Sequence, residues 1–280
     1  MTWLRTLSLA WLIAPTALAA QGVLVAPTGV FINPHTRGAS VSLYNPGRTP
    51  VEVSISTAFG YPVSDSLGHV TLRMETAPDS TSRSAASWIE TFPHRMVMQP
   101  SERRVVRLLA RPPASLPEGE YWTRLVVSAK GGQVALQSPT PDRGIRVGLL
   151  LDVRTIVAVY YRKGLMHTGV TMTGVRAQVW HGVLHVCARF TREGSAAFLG
   201  MLHVTVLDSS GTQVASVQRP LAVYYSLSPC TTTAVPALQP GRYMVHLLVD
   251  TDRGDLDRAA LLPIAAVRDS AALVIVPRTP

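Results

Sequence analysis

From residue 23 onward the chain is a succession of short apolar segments rich in valine, leucine and threonine. They are cut at close intervals by turn formers such as Asn33-Pro34, Asn45-Pro46-Gly47, Arg111-Pro112-Pro113 and Gly131-Gly132. β-Branched residues pack well on a pleated surface, and this density of proline and glycine breaks helices, so strand and turn are expected throughout. No stretch carries a sustained helical stripe. In the first half the expected strands are 23–26, 29–32, 39–44, 51–57, 70–74, 103–110, 120–129 and 145–161. Strands in this number, with turns at this spacing, predict an immunoglobulin-like β-sandwich. Leu116-Pro117-Glu118-Gly119-Glu120-Tyr121 places a tyrosine at a strand entry directly after a Pro/Gly corner. That residue is either a tyrosine corner or an ordinary half-buried strand tyrosine.

A charged, glycine-containing link, Arg162-Lys163-Gly164, follows the last of these strands, and beyond it the pattern resumes at 183–190, 201–207, 212–218, 232–235, 243–250 and 271–276. Asp208-Ser209-Ser210-Gly211 is a hairpin turn signal, and Leu238-Gln239-Pro240-Gly241-Arg242-Tyr243 echoes the corner at 116–121. The expected fold class is therefore all-β, with two immunoglobulin-like sandwiches over residues 21–162 and 163–280. A chain of 280 residues with 47% hydrophobic content can bury two such cores.

The amino-terminal end reads as a Sec-type signal peptide over residues 1–20: Arg5, an apolar run from Leu7 to Ile13, then Ala17-Leu18-Ala19-Ala20. An uncleaved anchor would need a longer core, and no later stretch approaches the roughly 18 apolar residues that span a bilayer. The expected localisation is the periplasm, without stable membrane insertion. Cleavage removes Arg5, so the net charge falls from +9 to +8 (9 − 1). The arginines are scattered and the chain is exported, which argues against nucleic acid as a partner. Cys187 and Cys230 lie in the second half, where an oxidising compartment lets them pair. On a chain-entropy estimate such a bridge stabilises the domain by about 4 kcal/mol; two buried free thiols are the alternative.

The segment from Ile145 to Val153 alternates strictly. Ile145, Val147, Leu149, Leu151 and Val153 share one face, and Arg146, Gly148, Leu150, Asp152 and Arg154 share the other. From Ile156 to Tyr161 the alternation gives way to a continuous apolar run, as in a strand buried on both faces. Two readings fit. The stripe packs into its own sandwich, or it projects and completes a partner's sheet by strand addition.

Several segments together resemble the amino-terminal domain of the PapD-like periplasmic chaperones of fimbrial assembly. They are Val25-Ala26-Pro27 leading to Val30-Phe31, Ala39 to Asn45, Met98-Gln99-Pro100-Ser101 leading to Arg103-Val105-Arg107, Leu116-Pro117, and Tyr160-Tyr161-Arg162. The resemblance covers about residues 22 to 162 and implies two immunoglobulin-like domains in an L or boomerang. It implies a chaperone that caps pilus or fibre subunits by donating Val147, Leu149, Leu151 and Val153 to an incomplete subunit sandwich, in company with an outer-membrane usher. Members anchor the subunit's terminal carboxylate with two basic residues in the cleft, at positions held here by Thr28 and Ala158. Arg154 and Arg162 are the candidate substitutes, because guanidinium pairs bidentately with carboxylate; a solvated strand face and an interdomain ion pair are the respective alternatives. Glu118-Gly119-Glu120 stands where members carry an acidic-basic motif.

No enzyme activity, metal or cofactor is expected. His181 and His185 have the spacing of one strand face but no third ligand nearby, and no nucleophile-elbow or phosphate-loop pattern occurs. The acidic stretch from Asp250 to Asp255 lacks the closing glutamate of a calcium loop and reads as a solvated turn. A structural or adhesive surface protein assembled from immunoglobulin-like domains is the alternative to a chaperone.

Overall fold

The computed structural model describes residues 22–75, 78, 82–135, 148–235 and 238–276, with backbone alone at 132–135 and 148–150. The signal peptide read over residues 1–20 and the donor position Val147 lie outside the described residues. The first half forms β1 (Leu24–Ala26), β2 (Gly29–Ile32), β3 (Gly38–Tyr44), β4 (Val51–Ser64), β5 (Val70–Glu75), β6 (Ile89–Phe92), β7 (Arg95–Met98), β8 (Arg103–Ala110), β9 (Gly119–Ala135) and β10 (Gly148–Lys163). One sheet runs β1-β3-β8-β6 and the other β2-β10-β9-β4-β5, with β7 also paired to β4. Across the Ala26–Pro27 cis peptide the chain changes sheets, β1 pairing antiparallel with β3 and β2 parallel with β10.

Alternation builds the core between these sheets. Val41 and Leu43 on β3 and Val106 and Leu108 on β8 meet Val53, Ile55, Leu125, Val127, Val157 and Val159 from the facing sheet, all buried. Burying each such side chain is worth about 1.5 to 3 kcal/mol. Asn45, wholly buried, ties the following turn down by donating to the carbonyls of Thr49 (3.0 Å), Met98 (3.2 Å) and Gln99 (3.1 Å).

The chain passes to a second pair of sheets between Lys163 and Thr168. There β11 (Thr168–Trp180), β12 (Val183–Gly194), β13 (Phe198–Leu207), β14 (Gln213–Val223), β15 (Ser226–Leu227), β16 (Cys230–Ala234), β17 (Gly241–Asp250) and β18 (Val267–Ile275) are arranged β11-β12-β15, with β16 on β12, against β14-β13-β17-β18. Leu184, Val186 and Phe190 face Leu202, Val204, Val245 and Leu247 across this core. Both tyrosines of the repeated corner make the same bond. The Tyr121 hydroxyl donates to the Pro117 carbonyl at 3.0 Å, and that of Tyr243 to the Gln239 carbonyl at 2.9 Å.

Two sequence expectations need correction. Gly131-Gly132 does not end a strand. β9 runs through it to Ala135, and opposite Leu151 it carries one extra residue, a bulge that glycine accommodates without a side chain to place. The strands β6, β7, β11 and β15 were not anticipated. Two glycines and a register shift between Thr173 and Arg176 interrupt the alternation of β11, and β15 is only two residues long.

Candidate functional site

The long strand β10 lives in two environments. Against β9 it is paired from Gly148 to Lys163, but its other neighbour, β2, covers only Ala158 to Tyr161. Between residues 148 and 157, among the described residues, one edge of β10 has no strand beside it. The row of N–H and C=O groups on such an edge is a template for another strand. The bulge lies on β9, so β10 keeps its alternation unbroken. Leu151 and Val153 therefore continue the face that, further on, buries Val157, Val159 and Tyr161 in the first core. Leu151 and Val153 are half-buried, and the Val153 side chain lies against Gly22. On the opposite face Ile156 is 41% exposed, and Arg154 pairs with Asp152 at 3.2 Å, both in contact with solvent. The Ser128 hydroxyl, then Arg154, hold the Asp152 carboxyl below its ordinary value.

The inner half of β10 faces the second sandwich. Glu120, fully buried, organises this junction: it accepts from Trp122 Nε1 (2.7 Å), from the backbone of Ala197 in the second sandwich (2.8 Å) and from Arg162 Nε (2.6 Å). Arg162 also donates to the Ala260 carbonyl and lies over the Phe31 ring, 4.6 Å from its centroid. A buried carboxylate is tolerable only with this degree of pairing. Of the two candidate anchors, Arg162 is thus committed to joining the sandwiches, and Arg154 sits in solvent beside the open edge.

Thr28 and Ala158 also lie at the junction. Thr28 donates to the Asp255 carbonyl at 3.0 Å, and Leu256 from the segment between β17 and β18 packs so closely on Gly29 that a Cβ there would clash with it. Asp255 is gripped by Arg253 through two bonds of 2.6 Å, and Asp252 pairs with Arg258. These arginines account for the acidic turn that superficially resembles a calcium loop.

One cation at the junction was not anticipated. Arg124, on β9 directly beside Ala158, is 6% exposed, donates from Nε to the Gly60 carbonyl at 2.9 Å and stands over the Tyr224 ring. Tyr224 and Tyr160 share a 2.5 Å hydroxyl–hydroxyl bond across the sandwiches. Burial opposes the charge of Arg124, but the two tyrosine hydroxyls outweigh it and raise its pKa; burial pushes the Tyr160 hydroxyl well above its ordinary range. An arginine within an apolar strand gives no sequence sign of burial, because its partners come from β4 and from the other sandwich. The cysteines are joined: Cys187 on β12 and Cys230 on β16 are direct register partners and form a disulfide.

Among the described residues no helix is long and apolar enough to cross a membrane. No protein-family model and no curated protein matches the sequence. Solved structures similar to this chain include the SafB chaperone in complex with the SafA pilin from Salmonella enterica, at 14% identity over 91% of this chain and 99% of that one, with a TM-score of 0.44. The YadV chaperone is similar at 14% identity over 90% and 99%, with a TM-score of 0.43. The chaperone–tip adhesion subunit complex of the archaic Csu pili of Acinetobacter baumannii gives 12% identity over 74% and 89%, with a TM-score of 0.39.

Proposed function

We propose that this chain is a divergent PapD-like periplasmic chaperone, which binds secreted pilus or fibre subunits by adding β10 to a subunit sheet that lacks a strand. The observation that carries this reading is the edge of β10 over residues 148–157, which has no second strand beside it among the described residues, coupled to the apolar positions Leu151 and Val153 in unbroken phase with the buried face. Strand addition satisfies the backbone groups of both edges, and the stripe, with Val147, fills the groove left by the missing strand. Each side chain contributes about 1.5 to 3 kcal/mol if fully buried, before ordering and association are subtracted. Arg154, beside the edge and in solvent, is the cation available to a client carboxylate, whereas Arg162 is held by Glu120.

The test is co-expression with a fibre subunit that lacks its last strand, measuring the soluble complex in periplasmic extracts. Changing Leu149 and Leu151 together to Asp abolishes capture while the circular dichroism spectrum and unfolding midpoint of the chaperone stay near wild type. Unchanged capture overturns the reading. Recovery of the chain itself as a stable component of a surface fibre would assign it instead to the structural or adhesive proteins.

A further inference from the structure

A second contact between the sandwiches lies apart from the Glu120 cluster. The tip of the β4–β5 hairpin reaches the start of β16. The Gly68 carbonyl accepts from the Cys230 amide at 2.9 Å, and the Ser64 hydroxyl accepts from the Ser228 amide at 2.8 Å. Gly68 has φ +82°, and a Cβ there would overlap Cys230 Sγ and come within 2.6 Å of the Cys230 nitrogen. The tip is braced internally, since Asp65 Oδ1 accepts from the amides of Leu67 (2.8 Å) and His69 (2.9 Å). It therefore meets the second sandwich as a preformed turn. Its seat is less self-sufficient. β16 has five residues and, among the described residues, pairs only with β12, and its first residue is the half-cystine itself. A short strand held along one edge opens locally unless something pins its end.

We propose that the Cys187–Cys230 disulfide is a positioning element of the junction: by pinning Cys230 to β12 it forms the seat on which the β4–β5 hairpin docks, so bridge and docking are coupled. Coupling of this kind is reciprocal. Removing the bridge loosens the hairpin, and lifting the hairpin exposes the bridge to an attacking thiolate, which must reach the sulfur. Neither effect depends on a client.

Both directions are measurable on the full mature chain. In the first, dithiothreitol reduces the bridge, its two thiols closing to a cyclic disulfide as Cys187 and Cys230 take up two electrons and two protons. Gly68→Val and the milder Ser64→Ala accelerate that reduction, about tenfold and about fivefold respectively. In the second, hydrogen exchange of the residue 228 and 230 amides and of the tip from 65 to 69 speeds up about tenfold in Cys187→Ser/Cys230→Ser, while amides of β8 and β13 keep their protection. Unchanged reduction rates in both hairpin variants, or unchanged exchange in the serine pair, overturns the proposal. If the serine pair fails to fold, the reduction rates decide alone.

Discussion

The two halves of β10 make opposite use of one strand. From Ala158 to Tyr161 it has a neighbour on both edges, a core on one face and the second sandwich on the other, and Tyr160 and Tyr161 are nearly inaccessible. Before Ala158 it has, among the described residues, a single neighbour, with half-buried Leu151 and Val153 on one face and exposed Asp152, Arg154 and Ile156 on the other. The inner half holds the molecule together. The outer half carries the kind of surface that folding normally removes. A substitution should therefore be felt in stability on one side of Ala158 and in binding on the other.

The largest test of that contrast is Glu120→Ala, which strands the Arg162 charge and leaves the Trp122 and Ala197 donors without an acceptor. Urea unfolding should show a loss of about 3 to 5 kcal/mol, the usual result of breaking a buried pair. Next comes Tyr224→Phe, which takes away a partner of the buried Tyr160 hydroxyl and should lose about 1 to 3 kcal/mol. The same pair gives a pH signature. Both hydroxyls have pKa values raised in the folded state, chiefly by burial, so their contribution is complete below the unfolded value of 10.0 and declines as pH rises above it. Denaturant midpoints measured upward from pH 10 should fall for the wild type and fall less in Tyr224→Phe. The smallest effect belongs to the outer half: Arg154→Ala, which removes an exposed pair with Asp152, should shift stability by no more than about 0.5 kcal/mol. A loss above about 1.5 kcal/mol there would break the comparison, because surface positions seldom exceed a third of that.

Much of this architecture was legible in residues alone. The expected strand at 103–110 coincides with β8, and Leu151 and Val153 keep in the structure the phase read from their alternation. Local patterns carry such features. The corners at Tyr121 and Tyr243 were visible as turn chemistry, although only the folded chain shows that each hydroxyl reaches a carbonyl. What escaped depends on long-range partners. Glu120 looks like one acid in Glu118-Gly119-Glu120, yet it binds groups 42 and 77 residues away. Arg124 gave no sign for the same reason. Within β9, Gly131-Gly132 misled because glycine serves a bulge as readily as a turn.

The parallel pairing of β2 with Ala158–Tyr161 has a further consequence. It acts as an end stop on a ruler. The edge from 148 to 157, open among the described residues, offers ten residues, about 33 Å at 3.3 Å per residue, and the next positions are already taken. On the proposed reading, any strand laid along that edge halts at the same graduation. The depth to which a client is completed is then set by the chaperone rather than by the client, and subunits of different sequence are delivered in one common phase.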